Sequence, residues 1–148
     1  MQGGRHLVHR RVADAYAQAL AARARALTVG DPHRQDVHLG PLINAAQCAK
    51  VQQVVDDSLA QGAQLLAGGR HRGLFFPATV LAGVTPFMPA FGAEIFGPVA
   101  PITVFDSDDE LVELVNASDY GLSAGLHTAN VARGLALARR LNTGMVHI

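Results

Sequence analysis

The chain has 148 residues, 49% of them hydrophobic and 16% charged, which is enough to bury a core and too apolar for a disordered segment. Its formal net charge is zero, its sequence pI is about 7.1, and only 5% of it is aromatic. That balance argues against general attraction to nucleic acid or anionic membranes and leaves the core to Leu, Val and Ala.

Charge is uneven. Residues 1–34 hold six Arg against Asp14 and Asp31, a small basic start. One cysteine, Cys48, excludes an internal disulfide framework and suits a reducing cytosol. No apolar run approaches a membrane span, and the start does not resemble a secretory signal, so a cytoplasmic, soluble protein is expected. The seven histidines show no metal-site spacing, and no metal is expected.

In chain order, His6–His9 is a short apolar run with strand character. Arg11 to Leu27 is Ala-rich and free of Gly and Pro. Val12, Tyr16, Ala19, Leu20 and Leu27 recur there at helical spacing. Gly30, Pro32 and Gly40-Pro41 mark loops. Asn44 is an N-cap candidate for a helix over Ala45–Gln61, with Val51, Val54, Val55 and Leu59 on one face and Gly62 as its stop. Ala63–Ala67 reads as a strand and Gly68-Gly69 as a turn. Leu74–Val84 reads as a strand that Pro77 interrupts, removing a ladder donor. Thr85–Phe91 carries two prolines and is expected to be irregular.

Gly97–Phe105 contains a strong strand run, VAPITVF. Ser107 can cap a helix over Asp108–Asn116, whose acids at 108, 109 and 110 suit its positive end. Leu122–His127 reads as strand, Asn130–Leu141 as helix with Arg139 and Arg140 at its negative end, and Gly144–Ile148 as a further strand. The second half thus alternates strand and helix, which predicts an α/β fold with a mostly parallel sheet flanked by helices.

The informative stretch is FGAEIFGPVAP, Phe91 to Pro101. Glu94 stands two residues before Phe96, at the lip of a predicted strand, where open α/β folds bind ligands. A carboxylate can accept hydrogen bonds from the vicinal hydroxyls of a ribose, and a ring offers a flat apolar surface to a nicotinamide. On the residues alone, a Phe beside a strand is more often core and a Glu at a turn more often solvated.

The segment resembles the EIFGPV signature of the aldehyde dehydrogenase superfamily, and its flanks agree. GRHLVHRRVADAYAQAL (4–20), LGPLIN (39–44) with Gln47 and Lys50 after it, GLFFPATVL (73–81), TPFMPAF (85–91), NASDYGLSAG (116–125) and TGMVHI (143–148) follow the family's order and spacing. The wording is most similar to the bacterial benzaldehyde and vanillin dehydrogenase branch. The resemblance covers nearly the whole chain but well under half of a full family chain. It implies that residues 1–148 form a single partial catalytic domain, lacking the upstream Rossmann-like NAD-binding domain and the C-terminal oligomerisation segment.

It further implies oxidation of an aldehyde, of aromatic type, to a carboxylate with NAD or NADP through a cysteine thioester. Glu94 would bind the nicotinamide ribose and Phe96 would pack near the nicotinamide. Gln47 and Lys50 would lie near the adenosine ribose, although solvated helix residues are an equal reading of that pair. The nucleophilic cysteine would fall immediately before Met1, so no catalytic residue is expected within the chain, and the isolated chain is expected to be inactive. Cys48, alone on a helix, reads as a small hydrophobe. The implied partner is a small-molecule aldehyde, with a homo-oligomer possible, and with neither nucleic acid nor membrane. Departures from the family wording occur at Pro77, Ala78, Phe87, Gly92 and Ala93, and none removes Glu94 or Phe96. The competing reading is an interaction module that pairs with itself or a relative through exposed sheet edges.

Overall fold

The computed structural model describes residues 4–148, and the place expected for the nucleophile, just before Met1, lies outside them. Two compact units form, residues 1–104 and 105–148.

The first unit is built on a four-stranded sheet. Its strands are β1 (His6–His9), β2 (Gln64–Ala67), β3 (Thr79–Ala82) and β4 (Val99–Phe105), in the order β1-β4-β3-β2. β3 and β4 run parallel, with Thr79 opposite Val99, while β2 is antiparallel to β3. β4 is buried almost throughout, as a central strand covered on both faces should be.

Helix α1 (Arg10–Ala26) packs on the sheet through Ala13, Ala17 and Ala21, which join Val8, Ala67, Val80, Ala100 and Ile102 in one cluster. Small side chains at four-residue spacing let the helix axis approach the strands closely. The helix falls where the periodicity puts it, but its inner row is the alanine row. Val12 and Tyr16, larger and one position round, remain exposed, as does Leu27 just past the helix end. Tyr16 instead bonds His6 Nδ1 at 2.7 Å.

Helix α2 (Ala45–Ala60) begins where expected. The Asn44 side chain accepts from the Gln47 backbone N–H at 2.8 Å. Such a cap is worth roughly 1 kcal/mol over alanine. Gly62, at φ 104°, follows the last turn in a conformation that favours glycine. Val51, Val54 and Val55 are buried, and so is Cys48, as a small apolar group.

The predicted strand over Leu74–Val84 shrinks to four residues. Pro77 stands outside the ladder, its carbonyl accepting from Thr79 Oγ1, and pairing begins with Thr79 N–H donating to Pro98 O at 2.7 Å. No ladder donor is lost to the proline. Within Thr85–Phe91, expected to be irregular, Pro89 starts a single helical turn, α3 (Pro89–Gly92). Proline at the first helical position has no N–H to waste.

The second unit holds α4 (Asp108–Asn116), β5 (Ala124–Gly125), α5 (Val131–Ala138) and β6 (Val146–His147). β5 and β6 pair in parallel around α5, a right-sized β/α/β connection, but form their own two-stranded sheet rather than extending the other. Each strand is far shorter than its apolar run, because a ladder extends only as far as its partner does. Ser107 caps α4 at Glu110 N–H, and Glu110 reaches back to Asp106 N–H at 2.7 Å, a variant of the capping box. Arg133 of α5 forms a paired contact with Asp108, and Arg140 meets Asp109 at 2.5 Å. Asn116, the last residue of α4, ties that helix to the segment after α5, donating to Arg140 O and accepting from Asn142 N–H.

Candidate functional site

The segment between α3 and β4 runs alongside α2, and the four residues singled out in the sequence meet there. Gln47 and Lys50, three apart, share one face of the helix. The Gln47 amide nitrogen donates to Ile95 O at 2.7 Å and to Phe96 O at 3.1 Å. Lys50 Nζ donates to Glu94 O at 3.3 Å. A turn further along, Val51 is fully buried, and a Cβ added to Gly97 would lie 2.7 Å from its Cγ2. Glycine is therefore required at 97 for close approach to the helix.

Ile95 is anchored at 8% exposure, while Glu94 is exposed and Phe96 is 73% exposed. Neither candidate side chain is sealed in the core. Phe96 has φ 48°, the one left-handed non-glycine among the described residues. That conformation costs an L-residue on the order of 1–2 kcal/mol and needs support from its surroundings.

Upstream, Phe91 is buried, and the Arg5 guanidinium lies 4.9 Å above its ring. Burial holds the Arg5 pKa below the usual guanidine value. The contact brings the beginning of the described chain to the start of the Glu94 segment. Two concavities of this unit lie elsewhere. One is walled by Val29, Arg70, Arg72, Phe75 and Pro77, the other by Ala17, Ala82 and Ile102 among others. Glu94 and Phe96 line neither and form an open surface.

The family description that matches is that of the aldehyde dehydrogenase family, over residues 1–148. The chain belongs to the aldehyde dehydrogenase family. It is 57% identical over 148 residues to a benzaldehyde dehydrogenase [NAD(+)] of Pseudomonas putida, and 50% identical over 148 residues to a vanillin dehydrogenase of an Amycolatopsis species. In both cases 100% of the chain matches 30% of the relative, so the chain spans under a third of their length. The solved NADP-dependent glyceraldehyde-3-phosphate dehydrogenase of Bacillus halodurans, complexed with NADP, superposes with a TM-score of 0.94 at 37% identity. That match covers 97% of this chain and 30% of the other. The aldehyde dehydrogenase resemblance of the EIFGPV segment is thus borne out, as is its partial α/β domain of mostly parallel sheet with flanking helices.

Sequence reasoning missed the partners of Gln47 and Lys50, which are backbone carbonyls nearly fifty positions away. Their three-residue spacing on one helix face was the available sign that they act on a common object. It also missed Val51 and Gly97, whose contact fixes how closely the segment follows α2.

Two substitutions test this geometry. Phe96→Val, a branched residue poorly tolerated at positive φ, should lower unfolding stability by about 1–2 kcal/mol, whereas Phe96→Gly should leave it nearly unchanged. Denaturant unfolding of both variants checks the pair. Equal losses would contradict a left-handed backbone at this position.

Proposed function

We propose that this chain provides the nicotinamide side of the cofactor site of an NAD(P)-dependent dehydrogenase acting on an aromatic aldehyde. The supporting observation is the exposed Glu94 and Phe96, held on either side of buried Ile95 by α2. The residues fit a dinucleotide in chemistry. The Glu94 carboxylate would accept hydrogen bonds from the ribose hydroxyls, and the Phe96 ring would offer an apolar surface to the nicotinamide. NAD(P)+ held there supplies the acceptor for the hydride that leaves the aldehyde carbon.

Gln47 and Lys50 border the adenosine ribose in this reading. Both Gln47 amide protons are engaged with the Glu94 segment, so it offers only its Oε1 as acceptor. Lys50 spends one proton on Glu94 O and retains two for a hydroxyl or phosphate oxygen. The aromatic substrate class follows the likeness to the benzaldehyde and vanillin dehydrogenases. Residues 1–148 act within a single catalytic domain. They hold one cysteine, Cys48, buried on α2 and unable to attack an aldehyde from that position.

A second reading, association of copies through the second unit, is favoured by its exposed apolar residues. Leu122 is 82% exposed and Val131 62%, beside a β5–β6 ladder of only two residues per strand.

Titration of the isotopically labelled chain with NAD+ should shift the amide resonances of residues 91–97, and Glu94→Gln should weaken the effect severalfold. The chain alone should form no NADH from benzaldehyde and NAD+. Shifts confined to other residues, or turnover that Cys48→Ser abolishes, would contradict the proposal. Sedimentation of the same sample separates the second reading, which requires a dimer or larger species.

A further inference from the structure

We propose that Gln47 is a positioning residue, whose carboxamide holds Phe96 in its left-handed conformation and so sets how Glu94 and Phe96 are offered to the cofactor. This deepens the functional reading above and rests on it for its purpose, though not for its geometry.

In an extended strand, successive carbonyls point to opposite sides of the chain. A single donor group cannot serve both. At a residue in the left-handed region, the carbonyls before and after it turn toward one side. Ile95 O and Phe96 O flank Phe96, whose φ is 48°, and both lie within hydrogen-bond reach of one Gln47 nitrogen, at 2.7 and 3.1 Å. An amide nitrogen carries two protons, one for each. The side chain is therefore matched to the turned backbone and not to an extended one.

Gln47 can play this part because its own position is fixed. Its backbone N–H is held by the Asn44 cap at 2.8 Å, and the next residue, Cys48, is fully buried. Lys50 supports the same segment one turn on, through Glu94 O at 3.3 Å, from an exposed side chain. Gly97 closes against Val51 on the far side. The segment is thus gripped before, at and after Phe96, and the central grip is the one that distinguishes its backbone conformation.

Glutamate at 47 would keep the length but present only acceptors to two carbonyls, and methionine would keep the shape without any donor. Chymotrypsin reads the result in the chain as it stands, because Phe96 and Phe87 are both exposed, at 73% and 92%. Gln47→Met and Gln47→Glu should each speed cleavage after Phe96 by about tenfold, with cleavage after Phe87 unchanged. Lys50→Met should have a smaller effect. Unchanged cleavage after Phe96, or equal acceleration at both phenylalanines in both Gln47 variants, overturns the proposal. No nucleotide is present in this experiment. Failure of the NAD+ titration alongside the expected cleavage pattern would therefore reject the cofactor reading alone.

Discussion

One amide group spanning two carbonyls organises the candidate site. The donation of Gln47 Nε2 to Ile95 O and Phe96 O couples a capped helix to an irregular segment that has no ladder of its own. Backbone carbonyls are obligatory acceptors, and a segment leaving a short helical turn for a strand has few donors of its own nearby. Here they come from α2. The same contact turns the backbone at Phe96, keeps Ile95 inside and leaves Glu94 and Phe96 facing solvent.

The rest of the first unit makes that contact possible. Asn44 starts α2 in register, so Gln47, Lys50 and Val51 fall on the side that meets residues 94–97. On the other side of the segment, β4 anchors it by pairing with β3 from Thr79 and Val99 onward. The alanine row of α1 brings that helix down onto the sheet. Arg5 over Phe91 then links the beginning of the described chain to the segment. A left-handed phenylalanine is tolerated where both flanks are this constrained.

What was legible in the sequence was mostly local chemistry. Asn44, Gly62 and Ser107 mark helix ends because a cap needs only its own neighbours, and all three act as caps or stops. The EIFGPV wording identified the family, and its Glu94 and Phe96 are exposed beside Gln47 and Lys50. Strand lengths were not legible at Leu74–Val84 or Leu122–His127, since a strand ends where its partner ends and not where its apolar run does. Pro77 read as a defect in a ladder, but the ladder begins beyond it. The buried row of α1 was hidden because alanine carries little hydrophobic signal, whereas Val12 and Tyr16 next to it carry more. The partners of Gln47 are non-local, and no pattern within one helix could name them.

The most direct measurement is the nuclear Overhauser effect between the Phe96 amide proton and its own Hα in the folded chain. Left-handed backbone brings these protons close, so a strong intraresidue signal is expected in the wild type and a weakened one in Gln47→Met. A weak signal in the wild type, as extended backbone gives, would contradict the account.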